Sequence, residues 1–298
     1  MDGKTLNKKN LIFILIGFVL FVFAFIYSYS IYKTEGESRS VFIEKIPEGK
    51  TDFIEIMAYI VSIDPLKGDI TIRLDFAPRG ELANEKGAPD IDLELFVNSL
   101  TGKQEHHFPK GKTMNPIDVT VNLYDGLVTD YPYDTHKADL IVITTSKQKL
   151  FNPELNMVVE NEIPIDNTIN FSGSITAYQI DAQLQKDNPD NTTELYIDIS
   201  RAGSIKFFSV LVMIIMWVLI IMLFLLIFDI VVRGRKIEIA MFTFASAMLF
   251  AFPAFRNMMP LSPPIGAFPD YMAFFWAEGM AALTLVVLIS TWFSRRTT

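Results

Sequence analysis

Four long apolar runs constrain this chain more than any other feature. Residues 11–32 carry no charged side chain, 207–232 carry only Asp229, 237–255 only Glu238 and 271–293 only Glu278. A helix needs about 20 mostly apolar residues to cross the hydrocarbon core of a bilayer, and each run reaches that length. Buried helices of water-soluble proteins are rarely so long and so uniformly apolar. The pattern predicts one span at the start, three at the end, and one sizeable domain between the first and second.

The first run has the basic start of a signal peptide (Lys4, Lys8, Lys9). It is too long for a usual signal core, and its end, Tyr27-Ser28-Tyr29-Ser30-Ile31-Tyr32, has no small-residue cleavage pattern. The tyrosines fit an interfacial belt, so the run reads as a retained anchor. Orientation follows from the basic residues beside the spans. Lys4, Lys8 and Lys9 precede the first, Arg233, Arg235 and Lys236 separate the second from the third, and Arg295 and Arg296 follow the fourth. Four spans place all three groups on one side, the cytoplasmic one. The expected layout in the cell membrane is then a cytoplasmic start (1–10), a span (11–32), a polar stalk (33–50), an extracytoplasmic domain (51–206), a span (207–232), a cytoplasmic loop (233–236), a span (237–255), a proline-rich outer loop (256–270), a span (271–293) and a cytoplasmic end (294–298).

Residues 33–206 hold 29 acidic and 17 basic residues, a net charge of −12. That excess argues against nucleic acid and against adhesion to anionic lipid by this segment. Cysteine is absent. An exported domain of this kind has no disulfides and depends on its core, and cysteine-ligated metal sites are excluded.

Strict period-two alternation marks strands at 70–76, 91–98, 117–124 and 195–199, each with one apolar and one polar face. Weaker candidates are 53–63, 138–145, 157–163 and 174–181. Turn residues separate them, as at Asp64-Pro65-Leu66-Lys67-Gly68 and Asp187-Asn188-Pro189-Asp190-Asn191. Seven or eight short strands without an amphipathic helix between them predict an α+β membrane protein: four helices plus an antiparallel β-sandwich, with an immunoglobulin-like arrangement as one form of it.

The densest local signal is the connection 253–271, which contains Pro253, Pro260, Pro263, Pro264, Gly266 and Pro269. Prolines forbid a regular helix there and impose a stiff course. The loop is also apolar, so it is expected either to pack under the domain, to dip into the outer leaflet, or simply to join two helices. Arg256, Asp270 and Glu278 flank it. Glu278 lies about 10 Å along the fourth span from its start, a costly depth for a carboxylate. Arg256 is its expected partner, as a salt bridge that orients two helices; a proton- or cation-binding carboxylate is the functional alternative.

In the domain, Tyr131-Pro132-Tyr133-Asp134 reads as a corner, with the rings in the core and the Asp capping the turn. Asp125, Asp130 and Asp134, or Asp187, Asn188 and Asp190, lack the spacing of a calcium loop. His106, His107 and His136 read as solvated surface. No nucleophile elbow, zinc-binding helix or phosphate loop is present, so no catalytic residue, metal or cofactor is expected. Asn170-Phe171-Ser172 and Asn191-Thr192-Thr193 match the glycosylation triplet, which occurs often by chance.

The run Arg256-Asn257…Pro260…Pro263-Pro264-Ile265-Gly266…Asp270…Phe274-Phe275-Trp276-Ala277-Glu278 resembles a recurring signature of a bacterial membrane-protein family known as domain of unknown function 4436. The Tyr131–Asp134 corner is similar to a second element of that family. The resemblance implies the same layout over most of the chain and no activity. The expected role is a non-enzymatic docking or sensing component of an envelope membrane complex, bound to the bilayer and to a protein partner or further copies of itself. The alternative is a transporter or channel component that uses Glu278 and Arg256.

Overall fold

The computed structural model describes residues 8–38, 41–43, 51–152, 157–185 and 192–296. Two compact units divide the chain. One is Arg39–Arg201; the other joins Met1–Ser38 to Ala202–Thr298.

The first unit is built from strands. They are β1 (Val41–Ile43), β2 (Ile54–Asp64), β3 (Asp69–Pro78), β4 (Leu93–Val97), β5 (Glu105–Phe108), β6 (Ile117–Asn122), β7 (Thr135–Asn152), β8 (Met157–Pro164), β9 (Asn167–Gly173), β10 (Tyr178–Leu184) and β11 (Thr193–Arg201). One sheet has the order β1-β9-β2-β3-β6 and the other β10-β11-β7-β4-β5, with β8 on the far half of β7. Alternation explains why these segments are strands. Ile70, Ile72 and Leu74 of β3 are buried, while Thr71, Arg73 and Asp75 face out; Leu140 and Val142 of β7 and Leu195, Ile197 and Ile199 of β11 are buried likewise. These side chains from both sheets form one cluster. Each fully buried aliphatic contributes roughly 1.5–3 kcal/mol, and with no cysteine in the chain that core does the stabilising.

All four strongly alternating segments form strands, as do 53–63, 138–145 and 157–163, whereas only the second half of 174–181 does, because β10 starts at Tyr178. The architecture departs from expectation in two ways. β1, β5 and β9 were not legible, because β9 alternates Asn, Ile and Phe with Thr, Asn and Ser rather than apolar with charged. The pairing is also not wholly antiparallel, since β2 and β9 run parallel. The Asp187, Asn188 and Asp190 turn lies outside the described residues, as does Asn191 of the second glycosylation triplet.

The second unit has α1 (Lys8–Ser38), α2 (Gly203–Val232), α3 (Ile239–Asn257) and α4 (Phe275–Arg296), the last preceded by a π-helical turn, Asp270–Phe274. Four helical segments here are long and apolar enough to cross a membrane. α1 continues six residues beyond the expected span into the stalk. Its last turns are tied down: Thr34 Oγ1 donates to the Ser30 carbonyl at 3.0 Å, and the Glu35 carboxylate accepts the Ser204 N–H in the first turn of α2. A carboxylate is favoured at a helix N-terminus. Further along, the Tyr27 ring meets Phe207 of α2 at 5.6 Å. None of its apolar window is buried, against 28% for α2.

α2 and α4 run in the same direction. The Trp217 indole, mid-way along α2, donates to the Met272 carbonyl at 2.9 Å, and Arg295 near the end of α4 donates to the Ile230 carbonyl at 2.6 Å. The start of α4 therefore lies beside the middle of α2. The 14 residues of α2 before Trp217 extend about 20 Å, so the proline loop is recessed from the start of α2. Arg233, Arg235, Lys236 and Arg295 gather at the opposite end, where the Arg295 guanidinium also meets the Arg235 carbonyl at 2.8 Å.

Candidate functional site

Arg256 stands in the last turn of α3, and the chain folds straight back. Leu261, Ser262 and Gly266 adopt positive φ, which brings Asp270 to the end of the helix it left 14 residues earlier. Arg256 Nε donates to Asp270 Oδ1 at 2.9 Å and Nη2 to Oδ2 at 3.1 Å. Nη2 also reaches the Pro263 and Pro264 carbonyls at 2.8 and 2.9 Å. The Gly266 N–H donates to Asp270 Oδ2 at 2.7 Å. Both charged side chains are buried, at 8% and 1% exposure. Prolines lack an N–H, but their carbonyls remain free to accept, and here they help hold a cation. Pro260 leads into this turn.

The π-helical turn that begins at Asp270 has two indole donors: Trp276 bonds the Tyr271 carbonyl at 2.8 Å and Trp217 the Met272 carbonyl. The loop is thus a closed polar clamp fastened to three helices, with the chemistry of a brace.

The expected Arg256–Glu278 pair does not form. Glu278 lies eight residues past Asp270, about 12 Å further along the helix, while the tight return of the loop presents Asp270 first. Glu278 is half-buried, and its Oε2 is buried without a hydrogen-bond partner among the described residues.

The aromatic corner also differs from expectation. Tyr131 is buried at 1% exposure, but Tyr133 is 52% exposed. Asp134 does not cap the turn. Its carboxylate accepts Arg201 Nε at 2.9 Å and Nη2 at 2.8 Å, and lies 3.1 Å from His136 Nε2. His136 is buried rather than solvated, and its Nδ1 is 3.2 Å from the Asp125 carbonyl. Arg201 Nη1 donates to the Tyr178 hydroxyl at 3.0 Å, and the guanidinium lies over the Tyr178 and Tyr131 rings at 4.8 and 5.4 Å. Burial works to raise the Asp134 pKa, but hydrogen bonds from His136 and Arg201 outweigh it and hold the carboxyl below its usual range. Gly126 is required beside this network, because its φ is positive and a Cβ would collide with the Thr135 carbonyl.

Parity could have found Arg201. It shares a strand face with the apolar Leu195, Ile197 and Ile199, so it points inward and needs a buried acid. Asp134 and His136 share parity with Ala138 and Leu140 in the same way. Asp134 is on Arg201 and Asp125 on Lys137 at 3.2 Å, so two of the three carboxylates of the acidic loop have intramolecular partners. Among the described residues no three His, Asp or Glu side chains are grouped as a metal site. His106 and His107 lie in β5, and the His106 ring meets the Lys103 carbonyl at 2.9 Å. A groove of about 370 Å³ opens on the second sheet, lined by Thr135, Lys137, Gln179, Asp181, Asp198 and Ser200 among others. Its charges are mixed, and it holds no paired nucleophile and base.

The outer faces of the two sheets differ in degree: Tyr59 and Val61 are also exposed on the first, and Glu94 pairs with Lys147 at 2.8 Å beside Phe96 on the second. The first is laced with polar pairs: Arg73 with Asp118 at 2.8 Å, and Glu55 with Arg79 and with Asn170 Nδ2 at 2.7 Å. The second presents Phe96, Tyr124 and Tyr196, at 36%, 39% and 43% exposure. Half-buried Ile141 and Ile143 lie on the same face: Ile143 is opposite Phe96, and Tyr196 is opposite Asp139.

The profile of the family described as domain of unknown function DUF4436 matches residues 45–199, just over half of the chain. The chain belongs to that family. A second profile, domain of unknown function DUF8686, matches residues 201–295. No curated protein matches the sequence. The two matched ranges meet where the structure divides into its two units. The aromatic corner falls inside the DUF4436 range. The proline-loop signature, which carried most of the resemblance, falls inside the other. The family expected from the sequence is therefore right, but the more distinctive residues used to reach it lie in the helical unit with its own profile.

Proposed function

We propose that the protein is a non-enzymatic membrane component whose domain docks or senses a protein partner on the extracytoplasmic side of the cell membrane. The observation that carries this reading is the outer face of the second sheet. Exposed aromatics with aliphatic neighbours and a rim of Asp139, Glu194 and Asp198 have the composition of a recognition surface. The exposed apolar window of α1 supports assembly with other chains or copies within the bilayer. The gathering of basic residues at one end of α2 and α4 supports cytoplasmic termini. The two sheets around one core support a β-sandwich of immunoglobulin-like kind, extended by β9 and β1. A photo-crosslinking residue at Tyr196, introduced into the full chain in cells, should yield a discrete adduct that the same residue at Thr71 on the first sheet does not. Equal labelling from both positions would contradict the reading.

The second reading is a transporter or channel component, and Glu278 favours it. A half-buried carboxylate with no partner in a spanning helix is costly unless it meets a proton, a cation or another subunit. Arg256 would then act through the brace rather than by touching the ion. Proteoliposomes containing the full chain should show a proton or cation flux that Glu278→Gln abolishes. A wild-type protein without flux sinks this reading and leaves the first intact.

A further inference from the structure

The aromatic face of the second sheet continues into the groove of about 370 Å³. Register fixes how. Tyr196 and Asp198 flank buried Ile197 along β11, so both point outward. Tyr196 lies opposite Asp139 of β7 and Gln183 of β10. Asp198, which lines the groove, lies opposite Lys137 of β7 and Asp181 of β10. At the far end of the face, Ile143 of β7 lies opposite Phe96. Lys137 and Ile143 are six residues apart on one strand, about 20 Å. A segment of about seven extended residues therefore spans the groove and the aromatic strip together.

The charges in the groove do not balance. Asp181 and Asp198 are exposed and directly opposite one another. Like charges so placed destabilise a strand pair. Lys137 stands next in the row, but Asp125 engages it at 3.2 Å. Asp139 and Glu194 add negative charge around Tyr196 on the same face. The fold thus keeps an acid pair beside exposed aromatics, where neutral side chains would suit the sheet better.

We infer that this face takes an extended segment of a protein partner that carries lysine or arginine beside aliphatic residues. A cationic head sits between Asp181 and Asp198, and the aliphatic side chains lie against Tyr196, Ile143 and Phe96. The inference rests on the docking reading and names the chemistry of the partner. Patches of opposite sign steer encounter and reject wrong partners, and the stems of long basic side chains cover apolar surface. A second copy of the chain does not fit. Residues 33–206 carry a net charge of −12, and two such faces would set like charge against like. Anionic lipid is repelled in the same way.

The test places a photo-crosslinking residue at Tyr196 of the full chain in its native membrane and identifies the crosslinked peptide by mass spectrometry. The adduct should map to a segment of another protein with net positive charge around the crosslink. Asp181→Asn combined with Asp198→Asn should lower the adduct yield about five-fold, the weight of roughly one exposed ion pair. Asparagine keeps the oxygen through which Asp181 accepts the Ala182 N–H at 2.9 Å. The double variant also removes the repulsion between the strands, so its unfolding midpoint should equal or exceed that of the wild type. A midpoint that falls along with the yield would assign the acids to the fold and overturn the inference. An adduct on an acidic or uncharged segment, an adduct with a second copy of the chain, or a yield unchanged by the double variant would overturn it while leaving the docking reading intact. No adduct from Tyr196 at all would remove both.

Discussion

Among the described residues are two buried arginine–aspartate clamps, one in each unit, and they are built in opposite ways. Arg201 and Asp134 are 67 residues apart and meet because β11 pairs with β7. Arg256 and Asp270 are 14 residues apart and meet because a proline loop turns back on itself. The first is surrounded by side chains: His136, Tyr178 and the Tyr131 ring. The second is finished by backbone, with the Pro263 and Pro264 carbonyls on the cation and the Gly266 N–H on the anion. A buried ion pair needs its remaining donors and acceptors satisfied. In the sheet unit, distant side chains do this; in the helical unit the loop itself does.

That difference sets the order of expected effects. Asp134→Ala should be the most damaging change. It leaves Arg201 buried without the one carboxylate that it meets among the described residues and takes a partner from His136, for a loss of about 3–5 kcal/mol. Thermal unfolding of the full chain in detergent, followed by the domain's β-sheet circular dichroism, would measure it. Asp270→Ala should cost less, about 1.5–3 kcal/mol, because Arg256 keeps two carbonyls. An Asp270 variant that loses as much as the Asp134 variant would break the distinction between side-chain and backbone completion.

The domain clamp also gives an acid limit. The Asp134 pKa is depressed in the folded state, so its contribution is fully present above the unfolded value of about 4. It is lost as pH falls through the lower folded value. Unfolding midpoints should fall below that range in the wild type and vary less with pH in Asp134→Asn. The smallest effect is expected from Arg73→Gln. Its pair with Asp118 is half-exposed on the first sheet, and surface pairs contribute little. Its unfolding midpoint should match that of the wild type.

The same contrast explains what was legible in the sequence. Arg256, Asp270 and Glu278 were legible as a group, because charge is conspicuous within apolar runs and prolines mark the turn. Their pairing was not. Depth along the helix singles out Glu278 as the side chain in need of a partner, whereas the reach of the loop decides that Asp270 gets one. Arg201, near the end of the expected domain, is not singled out by its local sequence. Its partner lies beyond several strands, and only strand parity hints that it faces inward. Tyr133 and His136 went astray for a related reason: a corner places alternate residues in and out, and a tetrapeptide does not say which. β9 escaped because its outward residues are Asn and Ser rather than charges, and its parallel pairing with β2 leaves no hairpin signal. The four spans were legible because they depend on length and apolarity alone.

The contrast that bears most on function is between the outer faces of the two sheets, the first richer in polar pairs and the second in exposed aromatics with aliphatic neighbours. Photo-crosslinking from Tyr196 in the full chain, in its native membrane, tests whether the aromatic face is a docking surface. A discrete adduct from Tyr196 is expected, lost when Phe96 and Ile143 are both changed to Ser and absent from the matched position at Thr71. Labelling from Tyr196 no stronger than from Thr71, in a chain that purifies as a lone monomer, would contradict it.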